Sequence, residues 1–401
     1  MSPNKVLLGC LGGIFCLLTA AGQQVEPSLR VRIVPPLGSL MGDLAVAHVY
    51  VSARPANSSN NQINAYSADL LGRLTPVEGS PYFFDDQSLS INGQQLLALN
   101  RTQTLIDAYS IGTNGGLTFL ASTDWAKDNP SDCGAAAWLF PDRTGANVYT
   151  MEYDGDCANN TYQSFAVTNG STLNYLGVAN GGAGSFSGVD LPASFLGNNQ
   201  FAYAATNNSC MYYSVWAFAR ASSGVLSQAN AGATLPTPPD GFRIYIPTQL
   251  TTDPSNHVAI ALVAANPPGC SATTPQQIGS FTADASGNLT TTNTSANMPS
   301  TVISSVNDMK ISPAGDLLAV GGTGGLQIFH FNGANPPTAY TAALTTDPIN
   351  QMFWDQFGHL YAISQTAGKL HVFSVTSSSA QEAPGSPYSI DAPQYIAVQS
   401  R

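Results

Sequence analysis

The fold is decided by a short pattern that begins at Ile63–Ser67 (INAYS) and continues, after a turn, at Gly72–Thr75 (GRLT). Apolar and polar residues alternate in the first segment, which is the period of a β-strand. The Gly-containing turn makes the pair of segments a β-hairpin. Six later segments repeat the first part of this pattern: 106–110, 162–166, 214–218, 278–282, 326–330 and 370–374.

A second hairpin precedes each of these copies. Its clearest example is Met309–Gly315, which leads into Leu317–Val320, and Leu139–Gly145 leads into Val148–Thr150 in the same way. The two hairpins together form a unit of roughly 40 to 60 residues, a spacing typical of propeller blades. Such units start near residues 44, 86, 133, 186, 242, 304 and 347. The sequence therefore predicts an all-β fold, a seven-bladed β-propeller of four-stranded blades over residues 44–401.

The two ends of the chain complete this scheme. The first unit lacks an innermost strand, and Gln394–Val398 (QYIAV) has the pattern to supply it. We therefore expect the C-terminal strand to join blade one and close the ring, which leaves no long exposed edge. Residues 23–43 are rich in Pro and Gly and are predicted to be a linker or strap.

The N-terminus has the features of a secretory signal. Lys5 precedes an apolar run, Val6–Leu18, and small residues follow it, so residues 1–22 are predicted to be removed on export. Leu7–Cys10 resembles a lipoprotein box, but the apolar run continues past it. We expect a secreted protein, periplasmic or extracellular, or at most one tethered through Cys10.

Composition narrows the classes of partner. Charged residues make up 9% of the chain, the formal net charge is -11 and the sequence pI is about 4.6. Such a chain is a poor ligand for phosphate backbones, so we expect no nucleic-acid partner. No further stretch approaches the length of a membrane span, and we expect a monomer.

Four cysteines remain after the signal segment: Cys133, Cys157, Cys210 and Cys270. An even number in an exported chain predicts two disulfides, for which three pairings exist. We favour Cys133–Cys157 and Cys210–Cys270. The four are too scattered for the ligand spacing of a zinc site.

Two copies of a Gly-Ser-Pro-Tyr motif, in Glu78–Tyr82 and Pro384–Tyr388, accompany the Tyr-Ser strand and the Gly-x-Leu-Thr turn. With these features nearly all of the mature chain resembles the lactonase-type seven-bladed propellers, which include 6-phosphogluconolactonase-like proteins. The resemblance implies the propeller fold and, as an activity, lactone hydrolysis.

The same resemblance implies a His, with Arg and Glu nearby, where the innermost strands begin. We call the face where those strands begin the upper face; it also carries the loops between second and third strands. At the expected positions this chain has Cys133–Ala137 and Leu191–Ser194, without a His. The five histidines of the chain are expected elsewhere: His48, His257, His330, His359 and His371. No His-based acid/base pair is therefore predicted.

Three residues remain as candidates for catalysis. Glu152 follows a second strand on the upper face and is a candidate general base. Arg101 and Arg243 are candidate clamps for a carboxylate, since Arg binds carboxylates in a bidentate manner. The alternative is that both are ordinary surface or inter-blade salt-bridge residues.

Further charged residues of the upper face are candidate ligand contacts. Arg54 and Lys127 are the other cations there. Asp86 and Asp308 are the best aligned of several acidic residues that precede first strands, and a carboxylate ring would favour cations or polar sugars. The alternative is that these aspartates serve as turn residues.

One acidic loop is a candidate cation site. Asp154 and Asp156 could hold Ca²⁺ through oxygen ligands, although the segment lacks the full spacing of a calcium loop. The alternative is a solvated turn beside a disulfide. No other cofactor or metal is predicted.

These observations leave three functional hypotheses. The first is a non-catalytic module that binds a small sugar-like ligand or a protein partner on the upper face. The second is a lactonase-like hydrolase or isomerase acting on a sugar lactone or sugar acid. It requires Glu152, Arg101 and Arg243 to share a pocket. The third, an assembly scaffold, requires a flat upper face without a pocket.

Overall fold

The computed structural model describes residues 44–125, 135–153, 161–168, 172–180, 191–209, 212–267 and 275–401. Within these residues the chain forms seven antiparallel sheets, which are the blades of a β-propeller. Six sheets have four strands and one has five, and in six of the seven the strands are consecutive along the chain. No described helix has the length and apolar character needed to cross a membrane. The predicted signal, linker, Lys127, Asp154, Asp156 and all cysteines lie outside the described residues.

The blades follow one another along the chain. Blades 1 to 3 contain β1 (Ala47–Ala53), β2 (Gln62–Ala68), β3 (Leu74–Pro76), β4 (Asp86–Asn92), β5 (Gln95–Asn100), β6 (Leu105–Ile111), β7 (Leu117–Asp124), β8 (Ala135–Pro141), β9 (Asn147–Tyr153), β10 (Thr161–Thr168) and β11 (Thr172–Asn180). Blades 4 and 5 contain β12 (Ser194–Phe195), β13 (Phe201–Ser209), β14 (Tyr212–Arg220), β15 (Leu226–Gln228), β16 (Ile244–Thr252), β17 (His257–Ala265), β18 (Gln277–Ala283) and β19 (Leu289–Thr290). Blades 6 and 7 contain β20 (Ser305–Ile311), β21 (Leu317–Thr323), β22 (Gly325–Asn332), β23 (Asn335–Ala339), β24 (Gln351–Trp354), β25 (His359–Ser364), β26 (Lys369–Val375) and β27 (Ala380–Glu382), and the chain ends with β28 (Tyr388–Ser389) and β29 (Pro393–Ser400).

The C-terminal strand closes the ring. β29 pairs antiparallel with β1, from Ala47 opposite Ser400 to Ala53 opposite Pro393. It is thus the innermost strand of blade 1, in the sheet order β29-β1-β2-β3. The predicted closure is confirmed.

Apolar alternation along the strands holds neighbouring blades together. In β5, Leu96 and Ala98 pack in a cluster with blade 1, whereas Leu97 and Leu99 pack in a cluster with blade 3. Both faces of a central strand are therefore buried, since successive side chains point to opposite faces. One such apolar cluster lies at each of the seven junctions between blades.

Buried tyrosines of the second strands add a polar contact between blades. Tyr50, Tyr149 and Tyr203 each donate a hydrogen bond to a glycine carbonyl in the outer turn of the next blade. The acceptors are Gly115, Gly224 and Gly287, at 2.8–2.9 Å. Gly224 has a φ of 99°, and a Cβ there would lie 2.1 Å from Asn147. Glycine is required because the turn approaches the preceding blade so closely.

The Gly-Ser-Pro-Tyr motif makes the same contacts in both of its copies. Ser80 Oγ accepts from Ala65 N (2.9 Å) and Ser386 Oγ accepts from Val372 N (2.8 Å), each on a third strand. Tyr82 OH accepts from Leu117 N of blade 2, and Tyr388 OH accepts from Leu74 N of blade 1. The motif therefore ties its own blade to the outermost strand of the following blade.

The innermost strands are linked by what we call the inter-blade belt. At each of the seven junctions a side chain on an innermost strand, or on the turn beside it, bonds a backbone group of the next blade. The bonds are Gln399 Nε2 to Gly93 O (2.7 Å), Leu139 N to Ser88 Oγ (3.0 Å), Arg143 Nε to Phe195 O (2.8 Å), Thr252 N to Ser194 Oγ (3.1 Å), Gln249 Nε2 to Asn307 O (2.9 Å), Asn307 Nδ2 to Ile349 O (2.9 Å) and Ile396 N to Gln351 Oε1 (2.8 Å).

We predict that Tyr203→Phe lowers the free energy of unfolding by about 1–2 kcal/mol, because it leaves the buried Gly287 carbonyl without its donor. Urea denaturation followed by fluorescence measures the change. Tyr340→Phe is the matched control, since the Tyr340 hydroxyl is buried and has no hydrogen-bond partner among the described residues. A Tyr203→Phe protein as stable as the Tyr340→Phe protein would contradict the prediction.

Candidate functional site

The seven innermost strands surround a central channel, which contains a cavity of about 810 Å³. Residues from all seven blades line it. Amide and hydroxyl side chains dominate the upper half, where Gln87, Thr248, Asn307 and Gln394 lie. A cavity of this size is within the range of sites for small organic ligands.

β-Bulges or register irregularities occur in five of the innermost strands, where one or two residues are skipped in the pairing with the second strand. The skipped positions are Gln394 in blade 1, Gln87 and Ser88 in blade 2, Ala137 in blade 3, Thr248 in blade 5 and Asn307 in blade 6. Bulges re-aim side chains and are common beside functional sites. Here four of the skipped positions place a polar side chain in the channel lining.

The bulged residues differ in what they bind. Thr248 Oγ1 donates to Gln276 Oε1 (2.9 Å), and Asn307 belongs to the inter-blade belt. Gln87 Nε2 and Gln394 Oε1 are shielded from solvent and have no hydrogen-bond partner among the described residues. Two amides of the channel are therefore not committed to holding the described fold.

An aromatic pair shares the channel lining with these two amides. The rings of Trp138 and Tyr395 meet edge to face, with centroids 5.2 Å apart. Trp138 is on β8 of blade 3 and Tyr395 on β29 of blade 1, so the pair spans the innermost strand of blade 2. Both side chains line the channel.

The opposite side of the channel carries an ion pair. Lys310 Nζ lies 2.9 Å from Asp308 Oδ1 and 5.3 Å from the centroid of the Phe353 ring. Asp308 Oδ2 accepts a hydrogen bond from Met352 N of blade 7 (2.7 Å). Burial raises the pKa of Asp308, and Lys310 and the Met352 N–H oppose the rise. Both carboxylate oxygens are thus engaged with the protein.

Asp86, the other aligned aspartate, is buried between strands and is absent from the channel lining. Tyr109 OH donates to Asp86 Oδ2 at 2.5 Å. Burial raises the pKa of Asp86 to about 8, and the charges of Asp107 and Asp85 add to the rise. In the structure Asp86 therefore contacts its own blade.

Arg54 and Arg101 both act on Asp85, and none of the three is in the channel lining. Arg101 Nε lies 2.8 Å from Asp85 Oδ2, with both side chains about 40% exposed (41% and 37%). Burial raises the pKa of Asp85, but hydrogen bonds from Asn61 N and Arg101 and the charges of Arg101 and Arg54 bring it below its usual value.

The other two catalytic candidates lie on different blades. Arg243 is exposed just before β16 and lies outside the channel lining. The backbone of Glu152 is in β9, opposite Ala136 and Thr161. The described geometry does not bring Arg101 and Arg243 into one pocket.

The histidines occupy structural positions. His48, His257 and His359 are at the starts of second strands, and each faces a turn glycine of the next blade (Gly115, Gly333 and Gly72). His359 is the first residue of β25. His330 stacks on Tyr340, and His371 bonds Asp347 and Glu382. None of the five is in the channel lining.

Within the described part of the chain, no group of three or more His, Cys, Asp or Glu residues is arranged to bind a metal ion.

We predict that Asp86→Asn stabilises the protein at alkaline pH. The Asp86 carboxyl ionises near pH 4 in the unfolded chain but near pH 8 in the folded protein. The stabilisation that the protonated Asp86 carboxyl gives the folded wild-type protein is therefore complete below about pH 4, and it is lost as the pH rises to about 8. The melting temperature of Asp86→Asn minus that of wild type should therefore increase from pH 5 to pH 9.

Asp284→Asn is the control, because hydrogen bonds from Asn288 hold the pKa of Asp284 below its usual value and keep it ionised across that range. Parallel curves of melting temperature against pH for wild type and Asp86→Asn would contradict the prediction.

Comparison with known proteins gives similarity at the level of structure. No family profile matches the sequence, and no curated protein matches it. The periplasmic gluconolactonase of Pseudomonas aeruginosa superposes with a TM-score of 0.64 at 13% identity, over 88% of this chain and 99% of that one. A Lactobacillus plantarum protein gives 0.63 at 14% identity (89% and 100%), and a candidate 6-phosphogluconolactonase from Bacteroides fragilis gives 0.58 at 13% identity (88% and 98%). The chain is a seven-bladed β-propeller, and its structural neighbours include these lactonase-like propellers.

Proposed function

We propose that the protein is a binding module that takes a small polar ligand in the upper half of its central channel. The observation that carries this proposal is the set of bulges in the innermost strands. They place Gln87, Thr248, Asn307 and Gln394 in one cavity from four different blades. Convergent polar groups in a concave site are the usual mark of ligand recognition.

The ionisable groups of the lining favour binding over acid–base catalysis. Asp142 is paired with Arg220 at 2.7 Å, and Arg143 donates to backbone carbonyls of Phe195, Thr252 and Asp253. Asp308 is engaged by Lys310 and Met352 N. A general base needs a lone pair within reach of its substrate, and these carboxylates already serve protein donors.

Lactone hydrolysis is the second candidate, and the fold similarity to a gluconolactonase favours it. The Lys310 ammonium, which lines the channel with Asp308 beside it, is suited to polarise a lactone carbonyl. This pair would replace Glu152, Arg101 and Arg243 as the catalytic set, because Arg101 and Arg243 lie outside the described lining.

We also propose that the protein acts outside the cytoplasm. The signal-like residues 1–22 support this, and a structural neighbour, the gluconolactonase of Pseudomonas aeruginosa, is periplasmic.

We predict that Thr248→Trp blocks the channel and weakens ligand binding at least tenfold, because the larger side chain fills the cavity. Titration calorimetry with glucose, gluconate and glucono-1,5-lactone measures binding to the purified mature protein. Thr118→Trp is the control, since Thr118 is exposed on the outermost strand β7. Circular dichroism establishes that both variants are folded.

An unchanged dissociation constant in folded Thr248→Trp, or no binding of any probe by wild type, would overturn the proposal. Hydrolysis of the lactone above the buffer rate, abolished in Lys310→Met, would establish the second candidate instead.

A further inference from the structure

We propose that blades 1 to 3 form a saccharide subsite in the channel, in which an uncharged sugar ring lies against Trp138 and its hydroxyls bind Gln87 and Gln394. This inference rests on the proposed function and names the class of its ligand.

The amides that line the channel differ between its two sides in what they bind. On the side of blades 5 to 7, Gln249, Asn307 and Gln351 bond the backbone of the next blade in the inter-blade belt. On the side of blades 1 to 3, neither Gln87 nor Gln394 makes a hydrogen bond to a described residue. We therefore place ligand recognition on the side of blades 1 to 3, because reorienting Gln87 and Gln394 toward a ligand breaks no described hydrogen bond.

The amides decide the chemistry of the ligand. Each offers an N–H donor and a carbonyl acceptor, and rotation about the last side-chain torsion exchanges their positions. A hydroxyl group donates and accepts, so adjacent sugar hydroxyls can satisfy both ends of both amides. A carboxylate or a fully ionised phosphate group cannot donate to an amide oxygen, and an ammonium ion cannot accept from an amide N–H.

The aromatic pair fits the same ligand. The C–H face of a sugar ring packs on an aromatic surface, and Trp138 and Tyr395 provide one in the cavity that the two amides also line. Burial raises the pKa of Tyr395, so its phenol is a neutral donor. In blades 1 to 3 the charged side chains that line the cavity are Asp142 and Arg143 of blade 3, and they are already engaged by Arg220 and by the Phe195 carbonyl, which favours an uncharged ligand.

A peptide strand is a poorer match for this channel. Peptides usually bind a sheet by pairing with a free strand edge. The inter-blade belt occupies a backbone group at each of the seven junctions. Five of these groups are on innermost strands, and they include Leu139 N and Ile396 N in blades 3 and 1. A rigid ring with several hydroxyls needs no such edge.

The test is titration calorimetry of the folded mature protein with glucose, galactose, mannose, gluconate and a neutral tetrapeptide. The variants are Gln87→Leu, Gln394→Leu and Trp138→Leu. The two Gln→Leu variants remove amides without a described hydrogen bond, so they should melt at or above the wild-type temperature. Each variant is expected to weaken binding of the preferred sugar at least tenfold.

Gln249→Leu is the matched control: it removes an amide of the inter-blade belt, lowers the melting temperature and leaves sugar affinity within twofold. Sugar binding that survives all three subsite variants but is lost in Thr248→Trp would overturn the subsite and leave the proposed function standing. Binding of gluconate or the tetrapeptide alone would overturn the ligand class. No binding of any probe would overturn both proposals.

Discussion

Each innermost strand of the ring pairs with only one neighbour, so its other edge faces the channel with unpaired N–H and C=O groups. Buried backbone groups need partners, and a free edge invites a foreign strand. In this protein the inter-blade belt supplies partners, one junction at a time, from side chains of the preceding blade. The ring is therefore held at its axis by polar contacts and between its blades by apolar clusters.

The bulges are the second consequence of this geometry. A regular strand directs successive side chains to its two faces, which pack toward the flanking blades, and not along the edge that faces the channel axis. Skipping one residue, as at Gln394 or Asn307, releases a side chain from this alternation. Once released, it can bond the next blade, as Asn307 does, or remain uncommitted, as Gln394 does. The skipped positions of the innermost strands can therefore either hold neighbouring blades together or remain available to a ligand.

The propeller could be predicted from the sequence because its blades repeat a strong local signal. The alternation in Ile63–Ser67, the glycine turns and the missing first strand all follow from the packing of sheets face to face, and each copy reinforces the others. The location of the channel site follows from weaker features. Gln87 and Gln394 are ordinary polar residues near strand starts, and nothing in a period of two marks them as bulged. For the same reason, the sequence alone predicts Trp138 to be a core residue.

Asp86 and Asp308 show why the sequence pattern does not reveal which strand residues line the channel. They align in the repeat, yet Asp86 precedes the bulge of its strand and Asp308 follows the bulge of its own. Because side chains alternate, a shift of one residue sends a side chain to the opposite face. Asp86 consequently meets Tyr109 in the interior of its blade, whereas Asp308 meets Lys310 in the channel. Two residues that are equivalent in sequence acquire different chemistry from a single skipped pairing, and the individuality of each blade in this ring arises at those skipped positions.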